Sequence, residues 1–114
     1  MEHNLSLFQH LDGLAPGYLD WQVTCLFYAA LHLVDEYLLQ ARPDGVRIDT
    51  HGGRVREVRR LMPGISSDYG WLKIQSEDAR YDMKSFTPAE VAGLFTGQFT
   101  RIRMQVHTAL GLPL

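Results

Sequence analysis

Cysteine is nearly missing from this chain: Cys25 stands alone among 114 residues. A lone thiol cannot close an internal disulfide. Its place in an apolar segment suits a small buried residue in a reducing compartment rather than a nucleophile. Long apolar runs are missing too, and no stretch approaches the roughly 20 residues that a membrane-spanning helix needs. The first ten residues, MEHNLSLFQH, have neither the basic start nor the apolar run of a signal peptide. These absences lead to the expectation of a cytoplasmic protein with no membrane contact. Charge of one sign is not in excess, since 11 Lys and Arg face 13 Asp and Glu for a net −2. That excludes attraction to nucleic acid or an anionic membrane as a whole-surface property and leaves room only for a local basic patch. Strand-like alternation of useful length, internal repeats and low-complexity segments are absent as well.

What is present is helical periodicity. Hydrophobic residues make up 46% and charged residues 21%, ordinary values for one globular domain with one core. The segment from Asp20 to Ala41 places Val23, Phe27, Ala30, Leu31, Val34 and Leu38 on one apolar stripe. A second stripe runs through Trp21, Cys25, Tyr28 and His32 to Asp35 and Glu36. A helix apolar on two sides belongs in the middle of a bundle, with something polar supplied by its neighbours towards its C-terminal end. Tyr18 or Asp20 opens it, Asp20 being a suitable N-cap.

The other expected elements follow from caps and breakers. Residues 3–13 suit a short first helix, ended by Gly13 and the Pro16-Gly17 pair. After a turn at Pro43-Asp44-Gly45, Asp49 or Thr50 can cap a helix from His51 to about Met62, stopped by Pro63-Gly64. A further helix is expected from Ser66 to Ala79, with Ile65, Tyr69, Leu72 and Ala79 facing inward. Thr87-Pro88-Ala89-Glu90 reads as a capping box with proline at the first helical position. It opens a last helix whose inward stripe is Val91, Leu94, Phe95, Phe99, Ile102, Val106 and Ala109. The expected fold class is all-α, an antiparallel bundle of four to five helices in a single domain spanning residues 1–114. Trp21, Phe27, Tyr28, Phe95 and Phe99 are expected in its core.

Polar residues on inward faces mark candidate sites. On the helix that begins at His51, His51 and Arg54 share the face of Val55, Val58, Leu61 and Met62, while Arg56, Arg59 and Arg60 lie opposite. Antiparallel pairing with the central helix would bring His51 and Arg54 to His32, Asp35 and Glu36. Such groups need mutual hydrogen bonds, because an unpaired buried charge is costly. The cluster reads either as an ion pair tying two helices together or as a pocket for a phosphate or nucleotide, which Arg suits. Metal binding is a third reading, with His32, His51 and Asp35 or Glu36 as ligands. Arg54 beside a cation and the lack of Glu-x-x-His pairs weigh against it, and no cofactor is expected. Arg80-Tyr81 at a helix end could stack on a base or pack over the bundle. On the last helix, Gly93, Gly97 and Met104 lie outward near His107, which suggests a homodimer seam.

The segment FYAALHLVDEYL, the start His51-Gly-Gly-Arg54, and Tyr69-x-x-Leu72-x-x-x-Ser76-x-x-Ala79-Arg80-Tyr81 together resemble a HEPN-type (higher eukaryotes and prokaryotes nucleotide-binding) domain over residues 18–110. The resemblance implies a dimerising helical bundle that works around nucleotides or RNA. Its implied settings are a nucleotidyltransferase partner, or a toxin–antitoxin or defence role with an antitoxin as partner. It also implies an alternative activity, a metal-independent endoribonuclease, whose members carry Arg, four to six residues, then His on a late helix. Arg101 and His107 have that spacing here, with Arg103 between them, although Ile102 stands where the family commonly has a polar residue. In that alternative His107 would move a proton as a ribose 2′-OH attacks the adjacent phosphate, and Arg101 or Arg103 would stabilise the phosphoryl charge.

Overall fold

The computed structural model describes residues 18–41, 48–81 and 84–113. The helix expected over 3–13 and the turn at 43–45 lie outside these residues. Every regular element among the described residues is helical: α1 (Leu19–Ala41), α2 (His51–Leu61), α3 (Ser66–Arg80), α4 (Pro88–Leu94) and α5 (Thr100–Leu110). A 3₁₀ turn, Pro63–Ile65, joins α2 to α3, and a π turn, Phe95–Phe99, joins α4 to α5. No helix among them is long and apolar enough to cross a membrane.

α1 is the central rod, as its two apolar stripes require. It buries Val23, Cys25, Leu26, Phe27, Ala29, Ala30, Leu31, Leu33, Val34 and Leu38, and packs against each of the other four helices. It starts one residue before Asp20, so Asp20 is a first-turn residue rather than the expected cap. An acid there is still favoured by the partial positive charge of the helix end. α3 runs antiparallel to α1: Ala79 and Arg80 lie beside Asp20 to Thr24, while Tyr69 packs on Phe27. The α4–α5 rod turns back along α3, with Lys84 bonded to Gln75 at one end and Arg101 to Asp68 at the other.

The caps follow the sequence. Thr50 Oγ1 accepts the Gly53 N–H at 3.0 Å to open α2. A Cβ on Gly53 would lie 2.8 Å from that oxygen and 3.1 Å from Ile48, so this first turn needs glycine. The Thr87–Glu90 capping box is complete, both bonds being 3.1 Å. Gly111 ends α5 in the left-handed region, φ 72°, and the Leu112 N–H donates to the His107 carbonyl.

The π turn is not foreseeable from capping. Leu94 and Phe99 are five residues apart and both buried, yet α-helical spacing would set them roughly 140° apart. The wider turn brings them to one face, and the Thr100 hydroxyl donates to the Phe95 carbonyl at 2.7 Å. Beyond it the inward line is Phe99, Ile102, Val106 and the partly buried Leu110, so Ala109, expected inward, is exposed. Trp21, expected in the core, is 62% exposed, because neighbours cover the opposite side of its helical turn. Phe27 and Phe99 are core, whereas Tyr28 and Phe95 are half-buried and packed against it.

Candidate functional site

Three short stripes converge where α1, α2 and α3 meet. α1 contributes Tyr28 and Asp35, α2 contributes His51 and Arg54, and α3 contributes Tyr69, Lys73, Glu77 and Arg80. Spacings of three and four residues on α2 and α3, and of seven on α1, put each set on one side of its helix.

At the base of the site Arg54 Nε donates to Asp35 Oδ1 at 2.6 Å, with the two side chains 8% and 10% exposed. Arg54 Nη2 donates to the carbonyl of Ile48, two residues ahead of the Thr50 cap, at 3.0 Å. Arg54 Nη1 lies 3.4 Å from His51 Nδ1. The guanidinium is therefore satisfied on all sides and ties α2 to α1. The helix-tying ion pair describes this contact, and Arg54 has no free fork to offer an external phosphate. Tyr69, 1% exposed, packs beside the pair, and its hydroxyl has no hydrogen-bond partner among the described residues. Burial pushes its phenol far above the usual tyrosine range, partly offset by the Arg54 charge.

His51 stands exposed above this base, its ring 5.9 Å from that of Phe27. Arginine has no acceptor, so the contact from Arg54 requires a bare Nδ1 and places the proton of the neutral ring on Nε2. Desolvation lowers the His51 pKa, the charges of Arg54, Lys73 and Arg80 lower it further, and Glu77 opposes them. A neutral donor thus sits in a positive surrounding. Lys73 pairs with Glu77 at 2.8 Å, which holds that carboxyl below its usual range. Arg80 differs from these: Nη1 donates to the Tyr28 hydroxyl at 3.0 Å and Nε to the Ser76 carbonyl at 3.4 Å. Its guanidinium lies 5.9 Å from the ring centres of Tyr28 and of Tyr81. No carboxylate pairs with Arg80 among the described residues.

The other expected residues are placed as follows. His32 and Glu36 are exposed on α1 rather than turned into the bundle, because the inward positions of their turns are taken by Leu31, Leu33, Val34 and Asp35. Among the described residues no three His, Cys, Asp or Glu side chains gather as a metal site, so the ligand set of the third reading, His32, His51 and Asp35 or Glu36, is not assembled. On α5, Arg101 makes a two-bond contact with Asp68, at 3.0 and 2.7 Å. Arg103 lies over the Phe99 ring. The His107 ring meets the Pro113 carbonyl at 2.8 Å, which requires the proton on Nδ1 and leaves Nε2 bare. Arg101 and His107 are thus each held by a different partner.

Tyr28, Tyr69, Lys73 and Glu77 were not singled out in the sequence as site residues. For the three on α3 the signal is the 3–4 spacing of Tyr69, Lys73, Glu77 and Arg80, which a search for inward apolar positions passes over. Comparison with known protein families, with curated proteins and with solved structures returns no match.

Proposed function

We propose that this chain is a helical binding module whose α1–α2–α3 face takes the phosphate of a nucleotide or of RNA. The observation that carries it is a guanidinium, Arg80, that forms no ion pair with a carboxylate among the described residues. Arg54 is neutralised by Asp35 and Lys73 by Glu77, while Arg80 is held by two neutral acceptors and its Nη2 has no partner among the described residues. Around it stand Lys73, partly exposed and with N–H donors beyond the one bonded to Glu77, and the Nε2–H of His51. Phosphate oxygens accept from all three, and charge-assisted bonds of this kind are among the stronger ones. Arg54 does not touch the ligand in this reading. It holds His51 in the tautomer that donates outward. The resemblance to nucleotide-binding helical bundles points the same way.

The proposal includes a second copy of the chain seated along α4 and α5. There Gly93 faces open space, and Met104, 48% exposed, forms a shallow apolar surface with Thr108 and Ala109.

The test is calorimetric titration with a short single-stranded RNA at two salt concentrations. Binding is expected to weaken with salt, as phosphate contacts require, and to fall at least tenfold in Lys73→Ala and Arg80→Ala. Absence of binding at millimolar concentration to RNA and to mononucleotides alike would refute the proposal.

A further inference from the structure

A cleft of about 270 Å³ lies beside Arg80, between the first turn of α1 and the last turn of α3, lined by Asp20, Trp21, Thr24, Ala79 and Arg80. Three features set it apart from an accidental groove. The Trp21 indole is 62% exposed on its wall, and Tyr81, 71% exposed, follows Arg80 at the end of α3. Large aromatic faces left in water beside a cation suit a planar ring, because any base offers a π face for stacking. Asp20 and Arg80 line the same cleft without forming an ion pair with each other, and neither has another charged partner among the described residues. An unpaired acid and an unpaired guanidinium held apart across a gap call for a ligand with donors on one edge and acceptors on another. The Thr24 hydroxyl donates to the Asp20 carbonyl at 3.1 Å, which leaves its oxygen as an acceptor only.

Among the nucleobases this pattern selects one. Guanine alone carries two adjacent N–H donors, N1–H and the N2 amine, which match the two oxygens of a carboxylate. Its O6 and N7 acceptors match an arginine. Adenine and cytosine present one amine group to such an acid, and uracil presents one imide N–H. Arg80 can meet O6 or N7 through one Nη2 N–H, leaving the other for the phosphate and keeping Tyr28 on Nη1. The same residue borders the phosphate site, so base and phosphate of one nucleotide would lie on the two sides of Arg80.

We infer that the Asp20–Trp21–Arg80 cleft seats a guanine base. The inference rests on the phosphate-binding reading above and adds the identity of the base. The experiment uses Trp71→Phe protein, in which Trp21 is the one remaining tryptophan of the two in the chain. Its fluorescence is titrated with GMP, AMP, UMP and inorganic pyrophosphate. GMP is expected to quench Trp21 and to bind at least tenfold more tightly than AMP or UMP. Asp20→Asn should weaken GMP at least tenfold and leave AMP and pyrophosphate unchanged. Arg80→Lys, which keeps the charge, should lose the GMP preference but retain pyrophosphate. Equal affinities for the three nucleotides, an unaffected Asp20→Asn variant, or a GMP preference without any change at Trp21 would each overturn the guanine site. Pyrophosphate binding that is lost in Lys73→Ala would then show that the phosphate reading survives alone. If neither pyrophosphate nor any nucleotide binds, both fall together.

Discussion

Replacing Arg54 by Met tests the joint between α1 and α2 most directly. The substitution keeps much of the side-chain volume and removes the cation that faces Asp35 at 2.6 Å. Asp35 would then be a carboxylate about nine-tenths shielded from water, and the Ile48 carbonyl would lose the donor it has at 3.0 Å. Breaking one side of such a pair costs about 3–5 kcal/mol, whereas replacing both partners by apolar residues is often neutral or better. We therefore expect Arg54→Met alone to lose about 3–5 kcal/mol, and Arg54→Met with Asp35→Leu to recover most of that loss. At the usual unfolding entropy per residue, a domain of this size loses roughly 4 °C of Tm per kcal/mol, so the single variant should melt about 12–20 °C lower. Urea denaturation followed by circular dichroism at 222 nm, with all four members of the cycle, gives the coupling energy. A single-variant loss below about 1 kcal/mol, typical of an exposed pair, would refute the reasoning. So would a double variant as unstable as the sum of the two singles, since that outcome leaves no coupling to explain.

Burial and the positive charges of Arg54, Lys73 and Arg80 hold the His51 pKa below 6.5 in the fold. Between that lowered value and 6.5 the unfolded chain binds more protons, so stability is complete above 6.5 and is lost as pH falls below it. Urea curves at pH 7.5 and 5.5 should show a larger loss for wild type than for His51→Gln, with the lowered Glu77 and Glu90 carboxyls titrating below this window. Gly53→Ala should destabilise by about 1–3 kcal/mol, because the new Cβ collides with the Thr50 cap and must push α2 open or abandon the cap bond. An unchanged urea midpoint would show that the first turn relaxes freely. Light scattering at micromolar concentration should return the mass of two chains, and Met104→Glu should return one. Single-stranded RNA incubated in EDTA should stay intact with wild type and with His107→Ala. Cleavage that this substitution abolishes would move the function from binding to RNA strand cleavage.

Among the described residues local chemistry alone determined the helices, except for the π turn that divides the last one. The apolar positions of residues 19–41 repeat too widely for a surface helix, and the Thr50 and Thr87 caps depend on contacts within four residues. The partnership of Arg54 with Asp35 was also legible, since a guanidinium on an apolar face has to meet an acid, and the central helix placed one within reach. Tertiary packing decided what periodicity leaves open. It put Trp21 in water and Ser76 in the core, it widened the turn at Phe95–Phe99 so that Leu94 and Phe99 could share a face, and it left His32 outside. It also gathered Tyr28, Lys73 and Arg80 into one site, although Tyr28 and Arg80 are 52 residues apart in the chain. A helix sequence states which residues lie on one side of a cylinder. Only the neighbouring cylinders decide which side is covered and which cations are left without an acid.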